Sequence, residues 1–501
     1  MSTQAYQLTA IGLYFAAMIA IGIYAYRQTS DLDDYMLAGR KLRPGVAALS
    51  AGASDMSGWL LLGVPGAIYA SGLGESWIVI GLVIGAYLNW RFVAPRLRAY
   101  TAISNNSITV PSYLENRFKD TSRVLRITAG LIILGFFTFY VSAGMVAGGV
   151  FFESTFDTSY LFGMLLVAGI TLSYTLFGGF LGASLTDVAQ GLLMLAALIA
   201  VPVAAFLALG SLDAVTSGID AADALHNAAS PDDELHRTSL FFGGSVVAVI
   251  SAAAWGLGYF GQPHIIVRFM ALRSPADARA GRRIGISWMV ISSLGAISTG
   301  LIGIAYFFEN PETLANPETV FLRLSQILFH PLIAGFVLAA VLAAIMSTLS
   351  SQLIVCSSAL VEDIYKIFGK QATPQKYVMY GRAAVLAVAI VAILIAVNPS
   401  GTILELVGFA WAGFGAAFGP IILLSLHWRG LTAHGALAGM ITGAVTVGIW
   451  GSVDALSSAM YEIVPGFIAC AVVAVVVSKL APRPQERIGV EFTEMEEACR
   501  K

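Results

Sequence analysis

A 501-residue chain that is 57% hydrophobic and only 12% charged, with a mean hydropathy of +0.79, has the composition of a polytopic membrane protein. That composition excludes a soluble enzyme and leaves no stretch for a large soluble domain. The net charge of −2 gives no footprint for nucleic acid, and three cysteines (Cys356, Cys470, Cys499) without a CxxC pair exclude a disulfide framework or a thiolate metal site.

The N-terminus carries neither the charged leader nor the cleavage pattern of a secretory signal, so its apolar run reads as a retained first span. About 20 apolar residues cross a hydrocarbon core about 30 Å thick. On that measure thirteen transmembrane helices are expected, at 5–26, 44–71, 75–96, 124–152, 159–180, 187–210, 239–268, 284–308, 330–358, 379–398, 402–425, 432–451 and 459–479. The fold class is therefore all-α. Residues 1–480 read as one transmembrane domain, with loops near 97–123 and 211–238. Residues 481–501 read as a solvated tail carrying Glu491, Glu494, Glu496 and Glu497.

The second span holds Ser54-Asp55-Met56-Ser57-Gly58, an acid flanked by hydroxyls in an apolar segment. An ionised Asp at the centre of a membrane helix costs about 2.5–3.5 kcal/mol on insertion scales, so it calls for a compensating charge. No Lys or Arg falls in the central part of any expected span, which leaves a bound cation or a substrate ammonium as the partner of Asp55. At the mouth of the sixth span, Asp187 reads as a helix cap. The seventh span carries Trp255-Gly256-Leu257-Gly258-Tyr259-Phe260-Gly261-Gln262-Pro263, a run that an unbroken helix would not choose. Taken alone, such a run marks close helix packing. Five spans separate it from the Asp55 stretch, an odd offset that places the two elements in opposite directions, as an inverted repeat of five helices requires. Interrupted helices at matching places in two halves point to a transporter site at the midplane. His264 next to this run reads as structural. In the ninth span Ala344-Ile345-Met346-Ser347-Thr348 continues into Leu349-Ser350-Ser351-Gln352; hydroxyls in a membrane helix usually bond back to the preceding turn, but their clustering offers neutral oxygens to a hard cation.

Lys and Arg divide unevenly between the two sides. Arg27 with Arg40, Lys41 and Arg43, then Arg96 to Arg126, Arg268 to Arg283, Lys366 to Arg382, Arg429 and Lys479 to Lys501 fall on one side, against Arg237 and Arg323 on the other. The opposite loops carry Asp232-Asp233-Glu234 and Glu309, Glu312 and Glu318. The positive-inside rule then predicts an outside N-terminus and a cytoplasmic C-terminus.

The strings from Leu49 to Trp59, Thr109 to Phe118, Gly178-Gly179-Phe180 with Thr186-Asp187, Trp255 to His264, Met346 to Leu349 and Ala410 to Pro420 resemble, in order and over nearly the whole chain, the sodium/solute symporter family, and the first and fourth resemble its proline branch. The resemblance implies a leucine-transporter-like core of 5+5 inverted repeats, approximately 44–210 and 239–425, with spans 1, 12 and 13 peripheral. It implies Na⁺ as coupling ion, L-proline as solute, and the inner (cytoplasmic) membrane of a bacterium as location. Carried over by position, the sodium site falls on the backbone oxygens of Ala53, Met56 and Ala344 and the hydroxyls of Ser347 and Thr348. Asp55 takes part in ion binding or in linking it to substrate, and whether it touches the ion is left open. Ser57 and the opened backbone at Gly58 and Trp59 are implied to hold proline, with Tyr140, Trp255, Tyr259 and Pro263 shaping the pocket. Arg40 and Arg117 read as positive-inside anchors, to which the resemblance adds a gating or loop-tethering role.

The chemistry suits the solute: a zwitterion with a compact apolar ring needs donors for its carboxylate, an acceptor for its ammonium and aromatic walls. A channel would show a polar stripe through several spans, a sensor an attached signalling domain, and a membrane enzyme a nucleophile or metal motif such as HExxH. None of these is in the sequence. Within transporters, another small solute, or H⁺ in place of Na⁺, is the alternative.

Overall fold

The computed structural model describes residues 2–27, 36–232, 234–241, 245–310, 314, 316–368, 373–398, 402–481 and 486–500. Asp233 and Glu312 of the expected acidic loops, and residues 242–244 of the expected seventh span, lie outside them. The described chain is helical, with an isolated bridge between Leu42 and Leu272 and no named strand among the described residues. Helices are what an apolar chain forms in a bilayer, because each segment must satisfy its own backbone N–H and C=O groups.

In chain order the main helices are α1 (Thr3–Tyr26), α2 (Pro44–Asp55), α3 (Trp59–Ser71), α4 (Leu73–Ile103), α5 (Val110–Phe118), α6 (Val124–Phe156), α7 (Tyr160–Leu209), α8 (Leu212–Ala229) and α9 (Val246–Phe260). They continue with α10 (Pro263–Met270), α11 (Asp277–Glu309), α12 (Val320–Leu328), α13 (Pro331–Tyr365), α14 (Pro374–Ala396), α15 (Ile403–His427), α16 (Ala433–Gly451), α17 (Ile463–Leu480) and α18 (Glu486–Arg500). Hydroxyls of Ser159, Thr402 and Thr432 accept first-turn N–H bonds at α7, α15 and α16, and Pro44, Pro263 and Pro331 open α2, α10 and α13 without wasting a donor.

Ten helices are long and apolar enough to cross a membrane, eleven if the pair α9 and α10, bent by 42°, counts as one span, all among the described residues. The expected thirteen spans are thus not thirteen separate helices. Spans 5 and 6 follow one another without a loop in α7, two helices that meet at a kink at Gly179 (φ 55°, ψ −155°), a backbone conformation that glycine adopts without a Cβ penalty. Span 2 is divided into α2 and α3, each shorter than a crossing.

Two helices form the centre. Every residue of α13 from Val337 to Ser358 is buried, as is every residue of α15 from Ala410 to Ile422. By contrast, no residue of Val246–Ala253 in α9 is buried, and α1, α14 and α17 present apolar side chains such as Leu13, Leu394 and Ile468 outward. That is the pattern of a helical body whose perimeter faces lipid. The expected loops are partly helical: α8 lies in 211–238 and packs Val215 and Ile219 on Ile304 and Ala305 of α11, and α5 lies in 97–123 behind a Thr109–Ser112 capping box.

The tail also departs from expectation. Residues 486–500 form α18, whose Ile488, Phe492 and Met495 are buried, and Glu491, expected in solvent, is 7% exposed and paired with Lys119 at 2.6 Å. Arg117, expected as a surface anchor, is fully buried against the rings of Tyr100, Phe118 and Phe492, with Nε donating to the Ser425 carbonyl. Arg40 is a tether: its guanidinium donates to Asn106, Thr101, Ser107 and the Met270 carbonyl, holding the segment before α2 to the ends of α4 and α10.

Candidate functional site

The chain leaves α2 at Asp55. Met56 (φ −80°, ψ 81°) is not helical, and the C-terminal carbonyls of α2 have to find other partners. The Gly52 carbonyl still accepts from Met56 N–H at 2.9 Å, and the Asp55 carbonyl accepts from Ser57 N–H at 2.9 Å and the Trp59 indole at 3.0 Å. The Ala53 carbonyl accepts from the Ser347 hydroxyl of α13 at 2.6 Å. Ser347 also reaches the Ala344 carbonyl at 3.0 Å, and Thr348 Oγ1 lies 3.3 Å from the same oxygen.

Four of the five expected ion ligands therefore meet: the oxygens of Ala53, Ala344, Ser347 and Thr348 form one buried group between α2 and α13, with the buried Met56 carrying the chain past it. Two are helix carbonyls at the negative end of α2 and within α13; neutral oxygens so placed attract a hard monovalent cation. The helix behind them is fixed. Tyr174 OH donates to the Met346 carbonyl at 2.8 Å, and Gln190 donates to Tyr14 OH at 2.7 Å, which in turn faces Met346 Sδ.

Asp55 is 1% exposed, and its Oδ2 accepts from the Tyr259 hydroxyl of α9, while Oδ1 has no hydrogen-bond partner among the described residues. No Lys or Arg pairs with it among the described residues. The hydrogen bond joins the two interrupted spans at their breaks. Tyr259 is itself located by Asn89, which donates to its carbonyl at 2.8 Å, and by a T-shaped contact with the Trp411 ring at 5.2 Å between centroids. A cavity of about 20 Å³, room for about one water, borders Asp55, Met56, Asn89, Tyr259 and Met289.

The other expected solute residues divide. Ser57 is buried with its hydroxyl 3.5 Å from Trp59 N, beside Tyr140, whose buried hydroxyl forms no hydrogen bond of good geometry. Gly58 is pressed between α6 and α13, where a Cβ would stand 3.2 Å from Ala147 Cβ and 3.4 Å from Ile345 Cγ1. Trp255 reaches the site through an intermediary: its carbonyl accepts from the Trp411 indole at 2.7 Å, and its ring stacks on Tyr461 at 5.2 Å. Pro263 lines a different cavity, together with Met36, Thr109, Val267 and Asp363.

The glycines of the seventh span serve contact. A Cβ on Gly256 would run into the Gly81 carbonyl of α4, one on Gly258 into the Trp411 ring and one on Gly261 into the Phe414 carbonyl. The helix tightens to a 3₁₀ form over Ala254–Phe260 and bends past Gly261. Both readings of this run hold: it is a packing surface and a break.

Below the break lies a network that the sequence did not indicate. Arg268 is fully buried in α10, where it was expected in a loop, and donates to Asp187 Oδ2 at 3.1 Å, Ser50 Oγ at 3.0 Å, Ser351 Oγ at 2.5 Å and the His264 carbonyl. Its guanidinium lies over the Phe180 ring at 5.1 Å. Asp187 is thus no cap but an interior residue of α7, bonded also to Ser50 Oγ at 2.6 Å. The network ties α2, α7, α10 and α13 together. His264, expected near the end of a span, is buried against Phe137 and Tyr140, and neither ring nitrogen has a hydrogen-bond partner among the described residues. Trp411 and Gln262, which donates to the Trp411 carbonyl at 3.0 Å, complete the wall; neither was named for the site from the sequence, although each lies in a string that carries the family resemblance.

The family model for the sodium:solute symporter family matches residues 35–443. The chain is 53% identical to the high-affinity proline transporter of Bacillus subtilis (strain 168) over 481 residues, covering 96% of this chain and 99% of the relative. It is 48% identical to a sodium/proline symporter of Staphylococcus aureus (strain JH9), covering 98% and 96%. Among solved structures, the substrate-bound outward-open state of a Na⁺-coupled sialic acid symporter superposes with TM-score 0.78 at 19% identity, covering 96% of this chain and 99% of that one. The crystal structure of MhsT in complex with L-phenylalanine gives TM-score 0.53 at 16% identity, covering 87% of this chain and 98% of that one. At these identities the superpositions speak for the fold, an all-helical transporter core of the leucine-transporter type.

Proposed function

Since the chain belongs to the sodium:solute symporter family, we propose that it couples inward movement of Na⁺ to uptake of L-proline by alternating access. One observation carries this reading: the oxygen group of Ala53, Ala344, Ser347 and Thr348 and the Asp55–Tyr259 bond sit at the same helix break, so an ion and a solute bound there share their walls.

Na⁺ is held by the Ala53, Met56 and Ala344 carbonyls and the Ser347 and Thr348 hydroxyls. The Ser347 hydrogen, which points at the Ala53 carbonyl, turns away as the ion takes both oxygens. This fixes the end of α2 against α13 and sets the Asp55 carboxylate, the Ser57 hydroxyl and the N–H groups of Gly58 and Trp59 at the start of α3. The carboxylate of proline suits the N-terminus of α3 and the Ser57 hydroxyl, its ammonium the Asp55 side, and its ring the Tyr140, Tyr259 and Trp411 faces. Trp255 shapes the pocket through Trp411, and Pro263 through the bend it starts. The repeats of the core run over approximately 44–210 and 239–425. The protein resides in a bacterial cytoplasmic membrane with its N-terminus outside, a direction supported by the Lys and Arg bias between its loops.

Uptake of labelled proline into proteoliposomes tests this, with an inward gradient of Na⁺, of Li⁺, or of protons alone. Accumulation that requires Na⁺ is expected. Accumulation indifferent to Na⁺ removes the coupling, and Na⁺-driven uptake of other solutes with none of proline removes the solute.

A further inference from the structure

Away from the central site, α18 and the end of α4 enclose a second polar space. The tail helix is seated by Phe492 and Met495, by Lys119–Glu491 at 2.6 Å and by Arg429–Glu496 at 2.8 Å. Beyond that seat, Arg91, Phe92, Pro95 and Arg96 of α4 face Glu496 and Arg500 of α18 across a cavity of about 300 Å³. Among the described residues, three arginines thus line a space with one carboxylate, Glu496, which is already paired with Arg429. Arg96 is held in place by its bond to the Leu426 carbonyl at 2.8 Å.

The position along α4 fixes the depth. At 1.5 Å per residue, a helix entering the hydrocarbon near Leu73 leaves a core about 30 Å thick after about 20 residues, near Phe92. The Phe92 side chain is 46% exposed, as expected of a ring at that boundary. The cavity therefore opens where acyl chains give way to headgroups. Guanidinium forks match phosphate oxygens in pairs, and basic pockets between helices at this depth suit anionic headgroups.

The geometry points to a binding site for a phosphate-bearing anion between α4 and α18, supplied by the phosphodiester headgroup of an anionic membrane lipid. The phosphate sits among Arg91, Arg96 and Arg500, and the glycerol and first methylenes lie along Phe92 and Pro95. A lipid so held fastens the tail helix to the bilayer surface, at residues separate from those proposed for Na⁺ and proline.

The test is retention of phosphatidylglycerol against phosphatidylcholine by the detergent-purified full-length protein, read by native mass spectrometry. Preferential retention of phosphatidylglycerol is expected, falling about fivefold for each arginine removed in Arg91→Gln, Arg96→Gln and Arg500→Gln. Lysine at the same three positions is expected to restore it in part. A control triple on the neighbouring basic segment, Arg273→Gln, Arg279→Gln and Arg283→Gln, removes the same charge elsewhere; equal loss in both triples overturns the site. Retention unchanged in Arg500→Gln, at the exposed end of α18, overturns the part given to the tail. Adding inorganic phosphate separates the sources: no displacement supports the headgroup, and displacement at millimolar phosphate overturns it in favour of a soluble anion.

Discussion

A carboxylate buried at a helix break and held by one phenol is a sensitive object. The Tyr259 hydroxyl is the side-chain donor to Asp55 among the described residues. Hydrogen bonds to charged groups contribute about 1.5–3 kcal/mol, so Tyr259→Phe should weaken half-saturation by Na⁺ or proline by about 10- to 100-fold, measured as uptake against each concentration. Unaltered half-saturation for both would mean that the bond plays no part in binding. Ser347→Ala separates the two proposed ligands: it removes a hydroxyl from the proposed ion group and leaves Ser57 and Tyr140 intact. The Na⁺ requirement should rise at least about tenfold, by the same figure, while the proline requirement recovers at saturating Na⁺. If proline affinity falls at every Na⁺ concentration, Ser347 belongs to the solute side instead.

At the scale of elements, the buried Asp187–Arg268 pair joins α7 to α10 and, through Ser50 and Ser351, to α2 and α13. Removing one member leaves the other charge buried alone, at a cost of about 3–5 kcal/mol. Asp187→Asn and Arg268→Gln should each lower the melting temperature in detergent, and the double variant should recover part of the loss; additive losses would show that the two side chains act independently. The sequence could not display this pair, because its members lie 81 residues apart and each stood at the assumed end of a span. What was legible had a local cause. Apolar length marked the crossings, and the Gly and Ser content around Asp55 and the Gly/Pro content around Tyr259 marked the two breaks. The four oxygens of the proposed ion group were named from the second and ninth spans, but their meeting is a tertiary fact. The missed tail helix had a signal, since Ile488, Phe492 and Met495 fall four and three residues apart, the spacing of one helical face. The surrounding glutamates concealed it.

Across the whole molecule, the tail helix is part of the packed body. Phe492 contacts the Tyr100 ring at 6.2 Å and the guanidinium groups of Arg117 and Arg429. Deleting a buried Phe side chain costs about 3–5 kcal/mol. Phe492→Ala should therefore lower thermal stability and raise proteolysis of residues 486–500, while uptake per folded protein stays near that of the parent. Unchanged proteolysis would mean that α18 is held without Phe492.

The lone acid at the break has an electrical consequence. With Asp55 ionised and no basic partner among the described residues, the site carries one negative charge when empty and none once it holds Na⁺ and a zwitterion. A field then does no work on the loaded site as it reorients, but it pushes the empty one outward when the interior is negative, by up to about 2.3 kcal/mol per 100 mV. Voltage should therefore speed net uptake through the return of the empty carrier, and leave proline exchange at saturating Na⁺ on both faces unaffected. Exchange that responds to an imposed potential as strongly as net uptake would place the moving charge elsewhere.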